Sequence, residues 1–391
     1  MKLARRMQNL GTETAFEVLA RAKALEQAGR SIIHLQIGEP DFDTPKNVVE
    51  AGCKALREGF THYGPSPGLP ALRAAIAEDV GKSRGVHVAP EEVIVVPGGK
   101  PILFFVMLAL LEPGTSAIYP NPGFPIYESM IRFLDAKAVP LPLREANDFA
   151  LDVDELASLI DDSTRLLVLN SPSNPCGGVM PSEDIDKLAD VLRQHPDLWI
   201  LSDEIYSRIL YDGMKHDSLI RHEDLRHRII LLDGFSKTYA MTGWRLGYGV
   251  MPKDFAVHVA RLQTNATSCT ASATQMAGVE ALRGPQDDVE TMLRAFDERR
   301  HRIVDGLNAL PGVSCRLPKG AFYAFANFSS FGKTSKELET LFLEEAGVAC
   351  LTGTSFGSYG EGYLRFSYAN SVENIEEGLR RMRAFIETKL L

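Results

Sequence analysis

Cysteine is scarce and scattered. The five thiols, Cys53, Cys176, Cys269, Cys315 and Cys350, form no C-x-x-C pair, which excludes a disulfide frame and a thiolate zinc site and favours a reducing compartment. Long apolar runs are missing too. The longest, Ile102 to Leu111, is about half of a bilayer crossing. The basic start, Met1 to Asn9, is followed by no apolar stretch of the kind a secretory signal needs. Nor is there an excess of positive charge. Against 51 acidic side chains stand 42 basic ones, a net charge of −9, so no basic stripe is expected for nucleic acid or an anionic membrane. Repeats and low-complexity tracts are absent as well. What is present, 391 residues with 45% apolar and 24% charged side chains, is the composition of a soluble, cytoplasmic protein of two or three packed units.

Short β-branched or aliphatic runs recur at Val93–Val96, Leu166–Leu169, Trp199–Leu201, Ile229–Leu232 and Leu246–Val250, with helix-like stretches such as Ser182–Arg193 between several of them. This alternation predicts an α/β fold with a mainly parallel central sheet and helices on both faces. The last third differs. Val289, Met292, Leu293, Phe296, Ile303 and Leu307 share one face of a long helix. Strands near Phe322–Phe325 and Tyr363–Phe366 flank a helix carrying Leu338, Leu341 and Phe342, and a closing helix buries Ile375, Leu379, Met382 and Ile386. The expected division is a large domain over residues 46–284, a smaller α+β domain over 285–391, and an N-terminal segment, 1–45, packing with the smaller one.

Two apparent motifs fail. Gly353-Thr354-Ser355-Phe356-Gly357 matches a serine-hydrolase elbow, but all nine histidines precede Ser355 and no aspartate follows it, the reverse of the chain order that fold requires. Gly332-Lys333-Thr334 has Asn327 where a P-loop needs glycine. A stronger signal is Gly98-Gly99-Lys100-Pro101, which follows the strand Val93–Val96 and opens an apolar helix. Glycines permit close backbone approach, and free N–H groups at a helix start bind anions. Three further strands end in polar sets: Asn170 to Pro175, Ser202 to Tyr206, and Asp233 to Thr238. In open α/β sheets ligands sit beyond the carboxyl ends of the strands. Singly, an Asn-Pro turn, a capping aspartate or a solvated lysine is ordinary. Together on one edge they predict a site.

Those residues resemble the pyridoxal-5′-phosphate-dependent aminotransferases of fold type I, class I/II, in particular the aspartate aminotransferases. The match runs from Gly38-Glu39-Pro40-Asp41-Phe42 to Leu364-Arg365-Phe366-Ser367-Tyr368-Ala369, and its most specific block is Ser236-Lys237-Thr238-Tyr239-Ala240-Met241-Thr242-Gly243-Trp244-Arg245. The resemblance implies Lys237 as the Schiff-base lysine and Asp203 as the partner of the pyridine nitrogen. Tyr206 and Asn174 are similar to the pair on the phenolic oxygen. Arg245, Ser236 and the amides at Gly98, Gly99 and Lys100 resemble the phosphate cup. Phe124 stands at the position of the ring that stacks on the pyridine, and Tyr63 at that of a tyrosine reaching the neighbouring subunit's phosphate. Arg365 matches the arginine that grips the substrate α-carboxylate, helped by the backbone near Gly38.

The expected reaction is therefore transfer of an amino group between an L-amino acid and a 2-oxo acid such as 2-oxoglutarate, in a homodimer with shared active sites and no metal. A C–S β-lyase on the same fold is the nearest rival, since fold alone does not fix the reaction. Lys100 resembles a lysine that contacts a distal carboxylate, and a chance cation is disfavoured at the positive end of a helix. Acidic substrates, aspartate and glutamate, are the expectation on that ground. Four residues depart from the pattern: Phe124 replaces a common tryptophan, Gly234 a hydroxyl residue, and Pro101-Ile102 a common Gln-Ala. Phe124 keeps aromatic or aliphatic substrates as the alternative.

Overall fold

The computed structural model describes residues 2–391. Eight strands lead the chain: β1 (Ile33–His34), β2 (Val93–Val96), β3 (Ser116–Asn121), β4 (Lys137–Pro142), β5 (Thr164–Asn170), β6 (Trp199–Asp203), β7 (Ile229–Gly234) and β8 (Gly247–Val250). Seven of them form one sheet in the order β2-β8-β7-β6-β5-β3-β4. Only β8 runs against its neighbours, β2 and β7; the remaining pairs are parallel.

Side chains two apart on a strand share a face, and the sheet sorts accordingly. Val93, Val95, Leu167, Leu169, Ile200 and Leu231 meet helix residues Leu72, Ile76, Ile185 and Leu188. The alternate set, Ile94, Val96, Leu166, Val168, Leu201 and Ile230, meets Ile102, Val106, Met130 and Val259. Covering both faces is what makes these strands read as unbroken apolar runs. The mainly parallel sheet predicted from those runs is present.

β3 and β4 were not among the predicted runs, and their prolines explain it. Pro140 and Pro142 lie in β4, which ends the sheet order, where a missing N–H is tolerated. Pro120 lies in the part of β3 that pairs with β4 beyond its register with β5.

The later strands are β9 (Ser314–Cys315), β10 (Tyr323–Asn327), β11 (Val348–Ala349), β12 (Leu351–Thr352) and β13 (Tyr363–Ser367). Four form an antiparallel sheet, β12-β13-β10-β9, and β11 pairs in parallel with β1. The long helix Asp287–Asn308 and the closing helix Val372–Lys389 pack Phe296, Ile303, Leu307, Ile375 and Met382 into one core with Phe322 and Phe366. The N-terminal segment touches two bodies. Val18 and Ala22 of helix Thr14–Gln27 pack with Leu343 and Leu351, whereas the Gly11 N–H donates to Ser129 Oγ at 2.9 Å, on the helix Ile126–Phe133.

Behind the carboxyl edge of the large sheet lies a buried charge network. Arg84 Nε donates to Glu204 Oε2 at 3.1 Å and Nη2 to Asp233 Oδ2 at 2.8 Å. His216 Nε2 lies 2.8 Å from the same Glu204 oxygen, and Ser218 and Ser202 donate to the other. Burial works to raise the Glu204 carboxyl, but His216 and then Arg84 outweigh it and hold the carboxyl at about 2. The network ties the end of β6 to that of β7. Removing one member leaves buried charge unpaired, so Arg84→Ala should lower stability by about 3–5 kcal/mol. Urea unfolding measures this; a loss below ~1 kcal/mol would show that water replaces the guanidinium.

Candidate active site

A cavity of about 950 Å³ opens at the carboxyl edge of the large sheet, bounded on the far side by the smaller sheet and the N-terminal segment. Asn170 at the end of β5 and Asn174 beyond it, Asp203 at the end of β6, and Ser236 and Lys237 after β7 all line it, with Gly99 and Lys100 after β2. The strand-end sets do converge.

Lys237 donates from Nζ to the Gly38 carbonyl at 2.5 Å. Burial lowers its pKa to about 8; Arg365 and Lys100 add to the fall, while Glu39 and Glu13 oppose it. Asp203 is buried, takes the Tyr127 hydroxyl at 2.6 Å on Oδ2 and the Ile205 N–H at 3.3 Å on Oδ1. Burial pushes its carboxyl up to about 6 against those two donors. No cationic side chain pairs with Asp203 among the described residues. A cation arriving from the cavity would therefore lower its pKa and be held by it.

The anion cradle is built from close backbone approach. Gly98 has φ +80°, and a Cβ there would lie 2.2 Å from Arg245 Nη2. Arg245, itself at φ +54°, is steadied by a 2.7 Å bond from Nη1 to the Thr242 carbonyl. The helix Lys100–Leu110 begins here with no side-chain cap; Pro101 has no N–H and that of Ile102 is bonded to the Gly99 carbonyl, so the amides of Gly99 and Lys100 are those the helix start offers a ligand. Gly98 itself stands behind the wall; Gly99 faces the cavity.

Across the cavity, Arg365 of β13 is held between rings, its guanidinium 4.4 Å from the Tyr323 centroid and 4.8 Å from that of Phe356. Nη1 donates to Asn174 Oδ1 at 3.0 Å and Nη2 to the Gln36 carbonyl at 2.6 Å, while the buried Nε has no partner. The backbone aid expected near Gly38 is thus divided: Gln36 serves Arg365, and Gly38 serves Lys237. Residue 38 must be glycine for a local reason, because a Cβ would come within 2.4 Å of the Tyr323 hydroxyl. That hydroxyl shares a 2.7 Å hydrogen bond with Tyr206, whose own pKa burial drives well upward. Phe124 lines the cavity with Lys100 Nζ 5.6 Å from its ring centre. Tyr63 is not brought into the cavity; it is 89% exposed.

Sequence reading missed Tyr127, Tyr323, Phe356 and Glu13. Tyr127 was within reach, three residues beyond Phe124 at the start of the helix Ile126–Phe133. The others come from distant segments and carry no local signal.

An anion cradle, a buried carboxylate lacking a cation, and a lysine of lowered pKa face one space. This set fits pyridoxal 5′-phosphate, whose phosphate, protonated ring nitrogen and aldehyde need those three things. Fold and cavity thus define a pyridoxal-phosphate-dependent enzyme of fold type I.

Comparison with known proteins narrows the class. The profile of the family "Aminotransferase class I and II" matches residues 30–382. The aspartate aminotransferase of Pyrococcus horikoshii is 40% identical over 373 residues, 95% of this chain and 94% of that one. The aromatic-amino-acid aminotransferase 2 of Thermococcus litoralis is 38% identical, over 94% of this chain and 95% of that one. The structure of Thermus thermophilus aspartate aminotransferase with maleate superposes with a TM-score of 0.94 at 36% identity, covering 98% and 99% of the two chains. The chain belongs to the class I and II aminotransferases and is a pyridoxal-phosphate-dependent aminotransferase, acting on an amino acid and a 2-oxo acid. Among the described residues no helix is long and apolar enough to cross a membrane.

Proposed function

We propose that this enzyme moves the amino group of aspartate or glutamate onto a 2-oxo acid such as 2-oxoglutarate, in the cytoplasm and as a homodimer. Bound pyridoxal phosphate supplies an electron sink for the carbanion formed at the substrate Cα. The remaining work falls to side chains. Asp203 would keep the ring nitrogen protonated, and the backbone at Gly99 and Lys100, with Ser236 and Arg245, would hold the phosphate. Phe124, Tyr206 and Asn174, which line the same cavity, would hold the ring and its phenolic oxygen. Arg365 clamps the α-carboxylate by its planar fork and so fixes the Cα–H bond. Lys237, neutral above about pH 8, takes that proton and returns it as acid.

The acidic-substrate reading rests on one observation: a second cation, Lys100, lines the same cavity as Arg365 and Lys237. Lys100→Ala should cut kcat/KM on aspartate at least tenfold, about 1.4 kcal/mol, and leave alanine and phenylalanine nearly unchanged. Equal losses on all three would remove the acidic assignment. Phe124, with a relative named for aromatic amino acids, favours the second reading of an aromatic substrate. Pyruvate and ammonia released from cystathionine faster than oxaloacetate from aspartate would favour the β-lyase.

Exposed Tyr63 supports sharing of sites between subunits. Its loop is fixed locally, with the Ser272 hydroxyl donating to the His62 carbonyl at 3.1 Å, yet the ring itself is left bare. Mixing Tyr63→Ala and Lys237→Ala variants should restore up to about a quarter of wild-type activity, since a random hybrid pairs one intact site. Proven subunit exchange with no recovery would contradict sharing. The division into a large domain (46–284), a small domain (285–391) and an N-terminal segment (1–45) remains our reading, supported by separate cores around Phe296 and around the large sheet.

A further inference from the structure

Glu13 is out of place for an enzyme that seizes dicarboxylates. It stands just before helix Thr14–Gln27 and lines the cavity with Lys100, Lys237 and Arg365. Its carboxylate is paired with the Lys100 ammonium, and its charge also acts on Lys237, Tyr323 and Arg365. The other acids of the cavity are engaged elsewhere. Asp41 pairs with Arg299, Glu39 accepts the Thr242 hydroxyl, and Asp203 accepts that of Tyr127.

The position of Glu13 is built in. Two residues before it the Gly11 N–H is fixed on Ser129. One residue after it the Thr14 hydroxyl donates to Ser355 Oγ at 2.6 Å. That serine belongs to the Gly353–Gly357 loop, which thereby serves to seat the N-terminal segment. Glu13 is thus presented to Lys100 by backbone anchored on both sides.

An internal carboxylate on Lys100 has opposite consequences for two kinds of substrate. A distal carboxylate must displace Glu13 or share the ammonium with it against like-charge repulsion, so the pair works against acidic substrates. A neutral or aromatic side chain leaves Glu13 in place and avoids lying beside an unpaired ammonium, whose desolvation is costly. We propose that Glu13 is a specificity-determining residue, the resident counter-charge of Lys100, which widens the substrate range from dicarboxylic to neutral amino acids. This inference rests on the reading of Lys100 as the distal-carboxylate contact.

The test uses the holoenzyme and two unreactive acids, succinate and 3-phenylpropionate, with dissociation constants from calorimetry at low salt. Because the pair is partly exposed, with side chains 44% and 20% accessible, its effect is modest. Glu13→Gln should raise the preference for succinate over 3-phenylpropionate at least about threefold. Lys100→Ala should lower that preference, and adding Glu13→Gln to Lys100→Ala should raise it by less than Glu13→Gln does in the wild type, because only the repulsion from Glu13 is then removed. An unchanged preference in Glu13→Gln, with Lys100→Ala still weakening succinate, would overturn the role of Glu13 alone. Succinate binding indifferent to Lys100→Ala would overturn the acidic reading and this inference together. Weaker succinate binding in Glu13→Gln would show Glu13 to be a substrate contact, and would overturn it too.

Discussion

Lys237→Ala should fold and lose turnover by about 10⁴-fold, the upper range for removal of a positioned acid–base group. The fold is expected to survive because the ammonium makes one hydrogen bond, to the Gly38 carbonyl, and faces a cavity. Deleting it also relieves a buried cation beside Arg365 and Lys100, so unfolding in urea should shift by less than ~1 kcal/mol. The lowered pKa adds a pH signature. In wild-type protein stripped of cofactor, only the neutral amine attacks an aldehyde. The rate of capture of pyridoxal phosphate should rise with pH up to about 8 and then level off. Stopped-flow absorbance reads this directly; a rise continuing to pH 10 would place the reacting amine among ordinary surface lysines.

The second large effect is expected at Arg365. Arg365→Lys keeps the charge but loses the fork that bonds Asn174 and the Gln36 carbonyl and the plane that lies between Tyr323 and Phe356. Lysine cannot reproduce either feature. We expect kcat/KM to fall about a hundredfold, ~2.7 kcal/mol, on acidic and neutral amino acids alike. The common loss is the point, because every substrate shares the α-carboxylate while only some carry a distal one. A loss confined to aspartate would exchange the assignments of Arg365 and Lys100.

What the sequence made legible follows from where each signal is stored. Val93–Val96 and Ile229–Leu232 are covered on both faces, so burial is written as a continuous apolar run and the strands are found. β4 lies at the edge with two prolines, and its pairing is settled by position in the sheet rather than by composition. The same division holds within the site. Residues at strand ends, Asn174, Asp203 and Lys237, are brought together by the parallel topology, and alternation of strands and helices already implies that edge. Contacts between distant segments have no such trace. Tyr206 meets Tyr323 across 117 residues, Arg365 meets Asn174 across 191, and Glu13 meets Lys100 across 87. Their pairing depends on how the smaller sheet and the N-terminal segment close over the cavity. The consequence is concrete for Lys100: helix-start electrostatics pointed to a ligand, and the structure supplies one from the chain itself.

The most direct test of the central claim is chemical. Purified protein incubated with pyridoxal 5′-phosphate at pH 8 is reduced with borohydride, digested, and the modified peptide sequenced by mass spectrometry. The account predicts one pyridoxyl-phosphate group per chain, on Lys237, lost in Lys237→Ala. Label spread over exposed lysines, or fixed on Lys100 with Lys237 unmodified, would contradict it.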